Sequence, residues 1–375
     1  MLNVFCAPAR YLQGKNATRE LGPQMKRLGL GSPALIIAGA SAIRFLAPAW
    51  EETFRQAGTP FSVRKFGGEC SEEEIDAGVA EARARGARAI VGAGGGKCLD
   101  TARAVAAALE LPVVNCPTLA SSDAPCSALS VVYTEAGVFR KLLFYRRNPD
   151  LVLVDTSVIA AAPARYLVSG LGDALATWFE ARTVIEAHQP NQLGGATTLS
   201  GGVLARLCYE TLIADSADAL AAVERKVVTP ALERIVEANT LLSGLGFESG
   251  GLAIAHSVHN GLTTAPPTHR FLHGEKVSFG LMVQLVVEGR PQTETQDVLR
   301  FCNRVGLPTT LAQVGLGDAD AATIRKIAER TVVEGETAHH EPFPVTADLI
   351  ADGIAAADEV ACRWRSATRD SATTS

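Results

Sequence analysis

A chain of 375 residues, 47% hydrophobic and 20% charged, is long enough for two ordinary domains and apolar enough to fill their cores. Its net charge of −5, without a Lys/Arg block, argues against a nucleic-acid or membrane-surface partner. No apolar run reaches the roughly 18 residues of a membrane span, and the first residues lack a basic start followed by an apolar core. The eight cysteines are scattered without CxxC spacing, so reduced thiols and a cytoplasmic location are expected.

In chain order, Ala34–Ala38 reads as a buried strand and Ser41–Ala57 as a helix. Phe61–Phe66 is a second strand, after which Ser71 caps an acidic helix start at Glu72-Glu73-Glu74. Ala87–Val91 is a third strand, leading through Gly94-Gly95-Gly96-Lys97 into a helix that ends near Leu109, and Leu111–Cys116 is a fourth. This alternation predicts a Rossmann-like α/β domain with a parallel sheet covered by helices over residues 1–162. Ser127–Val154 reads as short extended segments joined by turns. From residue 163 to 375 the patterns become helical, which predicts an all-α second domain, with the cleft between domains as the default ligand site. Helices are expected over Ala164–Glu186, Leu199–Ala214, Ala217–Leu245, Gly251–Leu262, Glu275–Val287 and Thr346–Trp364, among others, and the last seven residues as a frayed tail.

Two places carry chemistry. The Gly94–Lys97 turn joins a strand to a helix, where absent side chains let backbone N–H groups approach a pyrophosphate. It is neither GxGxxG nor a Walker loop, and taken alone it also suits plain packing. The following loop offers Thr118, Ser121, Ser122 and Asp123 to a polyhydroxy ligand, although a Ser/Asp-rich turn has the same composition. The second place is Phe247–Lys276, which holds four of the seven histidines: His256, His259, His269 and His273. A helix, a break at Pro266-Pro267 and a second helix start can return His273 to His256, and imidazole is the commonest metal ligand. Asp173 lies in an apolar helical stretch, where a buried carboxylate needs a partner; an Asp after Gly also reads as a helix N-cap. Asp173, His256 and His273 together make a three-ligand set with an open position, as in catalytic zinc sites. Glu180 and Glu186 read as surface charges. His259, one turn from His256, could relay a proton or support the ligands.

Longer motifs go further: FGGECS (Phe66–Ser71), GGGKCLDTA (Gly94–Ala102), ASSDAPCSALSVVYT (Ala120–Thr134), GDALATWFEA (Gly172–Ala181), AHSVHNGLT (Ala255–Thr263) and HGEKV (His273–Val277). With them the chain closely resembles the bacterial glycerol dehydrogenase family of the iron-containing, or group III, alcohol dehydrogenase superfamily. The resemblance implies an N-terminal dinucleotide-binding domain and a helical domain holding a metal, usually zinc, on Asp173, His256 and His273. Thr177 stands where iron-using relatives carry a further histidine, which favours zinc. The family's cofactor contacts fall on Gly96, Lys97, Thr118, Ser121, Ser127, Leu129 and Tyr133, beside Gly94 and Gly95 of the glycine turn. Asp123 matches a residue that holds a substrate hydroxyl, and Phe247 is expected near the nicotinamide. Two positions depart from the pattern. Gly39 replaces the usual ribose-binding Asp, which opens the way to NADP with Arg44 as a phosphate partner, and Cys98 replaces a Thr.

The resemblance implies reversible, metal-dependent oxidation of glycerol to dihydroxyacetone at C2, with hydride transfer to NAD, in a homo-oligomer that is often octameric. Alternatives are a dehydrogenase of another vicinal diol such as 1,2-propanediol, an NADP-using variant, and a lyase of the same fold that uses NAD transiently.

Overall fold

A computed structural model of the chain describes residues 1–135 and 137–373. Contacts divide the chain into two compact units: Cys6–Leu167 with Asp218–Leu245, and Met1–Phe5 with Val168–Ala217 and Gly246–Ser375. A single cut at 162/163 does not describe this division, because segments 1–5 and 218–245 lie across it. Asn3–Val4 (β1) pairs in parallel with Ala196–Thr197 (β10). In the other direction, Gln13 Nε2 donates to Glu233 Oε2 at 2.8 Å, and Tyr11 and Thr240 share a hydrogen bond of 2.8 Å.

The first unit is a six-stranded parallel sheet. Its strands are Tyr11–Gly14 (β2), Ala34–Ala38 (β3), Phe61–Lys65 (β4), Ala89–Gly94 (β5), Val113–Pro117 (β6) and Leu151–Asp155 (β9), in the order β2-β9-β6-β5-β3-β4. Strands β3, β5 and β9 are buried throughout, which is why they read as unbroken apolar runs. On one face Ile36, Val91 and Leu153 pack with residues of α1 (Leu21–Arg27) and α2 (Ala40–Ala57), among them Leu21, Trp50 and Phe54. On the other, Leu35, Ile37 and Ile90 pack with Ile75 of α3 (Glu72–Ala84) and Val105 of α4 (Gly96–Ala108). The cap on α3 is as expected: Ser71 Oγ accepts from Glu74 N at 3.2 Å. Leu129–Tyr133 (β7) and Phe139–Phe144 (β8) form a separate antiparallel hairpin. The connection order reverses between β3 and β5, so the carboxyl ends of these strands, at Gly39 and Gly94, mark the topological switch point where ligands of such sheets bind.

Two helical expectations change. Rather than ending near Ala214, α7 runs over Leu199–Glu224, following α5 (Thr156–Ala161) and α6 (Ala164–Glu186). Lys226 at φ 57° then turns the chain, and Thr229 caps α8 (Pro230–Glu237), with Pro230 pre-set for the first turn. A π-turn, Ala238–Leu242, separates α8 from α9 (Ser243–Gly250).

Within its own bounds the second unit is helical apart from β1 and β10 among the described residues. It contains the rest of α6 and α7, then α10 (Ile254–Leu262), α11 (His273–Val287), α12 (Gln292–Val305), α13 (Ala321–Thr331) and α14 (Ala347–Thr373). From Gly274 to Leu285 every residue of α11 is buried, as befits a central helix without a polar face. The expected tail instead continues α14 as far as Thr373, and residues 374–375 lie outside the described residues.

Candidate metal and cofactor sites

Three helices of the second unit carry the metal-site candidates: Asp173 on α6, His256 on α10 and His273 at the start of α11. Glycines let these helices meet. A Cβ on Gly274 would lie 1.8 Å from Ser169 O, and one on Gly172 would lie 2.3 Å from Gly274 O. A Cβ on Gly280 would lie 2.3 Å from Ala255 O, so α11 also touches α10 backbone to backbone beside His256. A side chain at any of these positions would force the ligand-bearing helices apart.

The potential ligand atoms of Asp173, His256 and His273 all lie within 4.8 Å of one another. Asp173 is fully buried, with Oδ1 3.2 Å from His256 Nε2 and 3.0 Å from His273 Nε2. The outer ring nitrogens fix the tautomers. His256 Nδ1 lies 2.5 Å from Glu180 Oε2, and Glu180 Oε1 also accepts from the backbone N–H groups of Ala253 and His256. A carboxylate so placed can only accept, so His256 Nδ1 carries the proton. His259 Nδ1 meets Asn260 Oδ1 at 3.1 Å, which leaves its Nε2 to accept from His273 Nδ1 at 3.0 Å. Both ligand histidines therefore turn an Nε2 lone pair toward the same buried carboxylate. Three electron-rich atoms facing one point fit a divalent cation, and ordered carboxylate and histidine partners behind the ligands are typical of metal centres.

Lone pairs facing a carboxylate repel it unless a proton or a cation lies between them, and the charge balance shows that demand. Burial opposes the ionised form of Asp173, but His273 and the hydrogen bonds from both imidazoles hold its pKa well below the usual carboxylate range. Burial also opposes charge on His256, yet Glu180 and Asp173 raise its pKa well above the ordinary value. His259 is the opposite case: burial, then the charges of His273, Lys276 and His256, push its pKa well below normal, which keeps it neutral. Glu180 was expected at the surface and is fully buried; Glu186 is exposed, as expected. The missed signal was spacing. Asp173, Thr177 and Glu180 stand at i, i+4 and i+7 on one helix face, in a stretch too apolar for a surface acid. Thr177 is fully buried, and Phe247 is buried on α9.

The cofactor candidates cluster in the sheet unit. Gly94 ends β5, Gly95 is the extended N-cap of α4, and Gly96 and Lys97 open that helix. Its N-cap, Gly95, has no side chain to cap it, and Gly95 O accepts from Cys98 N at 3.0 Å. A Cβ on Gly94 would sit 2.7 Å from Cys98 Cβ, so the turn is tight. Thr118 N donates to Gly94 O at 3.0 Å, and the hypothetical Cβ of Gly96 is 3.6 Å from Ser122 Oγ, so the Thr118–Ser127 loop lies beside the turn. Lys97 Nζ pairs with Glu69 Oε1 at 2.5 Å and lies 5.0 Å from the Tyr133 ring centre. Glu69 had no role in the sequence reading. Asp123 and Ser127 are buried, and Ser121 and Leu129 are half-buried in the same unit. At the end of β3, nothing lies within 4 Å of a Cβ placed on Gly39, so the lack of a carboxylate there has no steric cause.

The iron-containing alcohol dehydrogenase family matches residues 8–156. A glycerol dehydrogenase of Thermotoga maritima is 49% identical over 362 residues, covering 96% of this chain and 97% of that protein. The chain belongs to the glycerol dehydrogenase family. A crystal structure of a probable glycerol dehydrogenase from Sinorhizobium meliloti superposes with a TM-score of 0.92 at 41% identity, covering 96% of this chain and 99% of the other. A glycolaldehyde reductase of Halobacterium salinarum is 46% identical, covering 97% of this chain and all of that protein.

Proposed function

We propose that the chain is a metal-dependent, NAD-linked polyol dehydrogenase that reversibly oxidises glycerol to dihydroxyacetone at C2. Near-full-length identity to glycerol dehydrogenases carries this reading, and the convergence of Asp173, His256 and His273 gives it a chemical basis.

In this reading Asp173, His256 and His273 hold the ion, which we take to be zinc because Thr177 adds no further nitrogen on the Asp173 face. When bound, it supplies a Lewis acid that makes an alcohol proton easier to lose. Nicotinamide supplies the hydride acceptor. The rest is done by the chain itself. Glu180 keeps the Nδ1 proton on His256, and neutral His259 keeps the His273 ring turned through its Nε2. Those protons cannot then compete for the inward-facing lone pairs. Asp123 accepts a hydrogen bond from a substrate hydroxyl. Gly94, Gly95 and Gly96 give pyrophosphate oxygens access to the backbone N–H groups at the start of α4. Thr118, Ser121, Ser127, Leu129 and Tyr133 line the cofactor's path, Lys97 adds charge, and Phe247 packs toward the nicotinamide. The sheet unit thus binds dinucleotide and the helical unit metal.

NAD is the proposed cofactor, and NADP is the alternative, because Gly39 leaves the ribose edge without the acid that would repel a 2′-phosphate and Arg44 is available to one. A cytoplasmic homo-oligomer, often octameric in such enzymes, completes the proposal. The glycolaldehyde reductase relative supports a second reading in which a two-carbon hydroxyaldehyde is reduced at the same site.

The test is initial rates with glycerol on NAD and on NADP, before and after chelation and with zinc restored, beside glycolaldehyde reduction and 1,2-propanediol oxidation. Glycerol turnover that survives complete metal removal would end the proposal. A large preference for glycolaldehyde would replace glycerol as the substrate.

A further inference from the structure

The loop after β6 is held in an unusual way. Four of its backbone carbonyls are taken by side chains from four different places in the sheet unit. Asn239 Nδ2 donates to Ala120 O at 3.0 Å, Asn115 Nδ2 to Pro125 O at 2.8 Å and Asn148 Nδ2 to Cys126 O at 2.9 Å. Arg103 Nη1 donates to Ala124 O. All four donors are buried, between 0% and 7% exposed. A loop needing only to bury its carbonyls could use water or its own turns; fixed amides leave it one conformation. Asp123 sits inside this framework.

The segment around the π-turn does more than anchor the loop's start. Asn239 lies within the turn, and its amide also reaches Leu167 O at 3.4 Å. Ser243 follows directly, with Oγ 3.4 Å from Asp123 Oδ2, a long bond that points at the carboxylate itself. At the next position, a Cβ on Gly244 would lie 3.0 Å from Cys126 Cβ and 3.1 Å from Asp123 O. Residues 239, 243 and 244 thus meet the loop before, at and after Asp123. π-turns are rare insertions that occur mostly at functional sites.

We infer that Asn239 and Ser243 are positioning residues for substrate: Asn239 sets the loop backbone, and the Ser243 hydroxyl sets the rotation of the Asp123 carboxylate that receives a polyol hydroxyl. The inference rests on the proposed role of Asp123. Neither side chain is assigned any contact with substrate.

The experiment compares Ser243→Ala, Ser243→Thr, Asn239→Asp and Asp123→Asn for glycerol KM and kcat, NAD KM, zinc content and thermal midpoint. Loss of one hydrogen bond to a charged group should raise the glycerol KM of Ser243→Ala about tenfold. Its NAD KM, zinc content and thermal midpoint should hold, and Ser243→Thr, which keeps the hydroxyl, should recover most of the loss. Asn239→Asp, which sets an acceptor against Ala120 O, should raise glycerol KM as well. If Asp123→Asn raises glycerol KM while Ser243→Ala does not, this inference fails and the role of Asp123 stands. If Asp123→Asn leaves glycerol KM unchanged, that role fails and the inference with it. A Ser243→Ala variant whose NAD KM and thermal midpoint move as far as its glycerol KM would make Ser243 a structural residue only. Should Ser243→Ala not fold, Ser243→Cys takes its place with the same criteria.

Discussion

The two units build their sites from different materials. In the sheet unit the candidate cofactor site is mostly backbone: a glycine turn, an uncapped helix start and a loop whose carbonyls are fixed from behind. In the helical unit the candidate metal site is side chain throughout, three ligands with a second set of groups fixing their tautomers. Backbone sites tolerate change in the side chains around them and fail when space is lost. Side-chain sites fail when one donor is lost. The same substitution chemistry should therefore act very differently in the two places.

The sharpest break is His256→Ala. It should abolish metal retention and turnover while leaving NAD affinity, measured by fluorescence titration, close to normal. A variant with full metal content and rate would show that the ligand set is misassigned. Glu180→Gln should come next. Amide for carboxylate weakens the hold on the His256 tautomer, and such outer partners are worth about 10–100-fold in metal affinity. Competition with a chromogenic chelator reads this directly, and an unchanged affinity would reduce Glu180 to a packing role. Gly94→Ala is the counterpart in the sheet unit. Its Cβ meets Cys98, so stability should fall by about 1–3 kcal/mol in denaturant titration, with NAD KM raised and zinc content untouched. Loss of zinc in that variant would contradict the contrast.

The last effect concerns pH. Burial, then the charges of Glu288 and Glu180, push the Glu341 pKa from 4.5 up to about 9, partly offset by Arg290. The folded chain keeps this proton at pH values where the unfolded chain has lost it. Its contribution is thus complete below the unfolded value and drains away as pH rises through about 9. Glu341→Gln, which cannot ionise, should flatten the decline of thermal midpoint across that window. An identical slope in both proteins would show that the acid does not control it.

The same contrast explains what could be read in advance. Strands β3, β5 and β9 were legible because burial on both faces leaves an unbroken apolar run; β2, four half-buried residues, carries no such pattern and was missed. Asp173 stood out as an acid in an apolar helical stretch, and His256 and His273 because four of the seven histidines crowd into Phe247–Lys276. Glu180 did not, since an acid on a helix reads as solvated unless its face is compared with that of Asp173. The break after Lys226 carried a local signal that was overlooked, since Thr229-Pro230 reads as the start of a new helix. The π-turn at Ala238–Leu242 carried none, because the stretch around it is helical in composition.

The contact between Gly172 and Gly274 has a consequence for how the enzyme can be altered. Because the two helices touch through bare main chain, the spacing between Asp173 and His273 is inherited from the fold and not adjusted by neighbouring side chains. A designer wishing to move these two candidate ligands apart has no residue to trim there. Their spacing can be widened only by remodelling the helix pair.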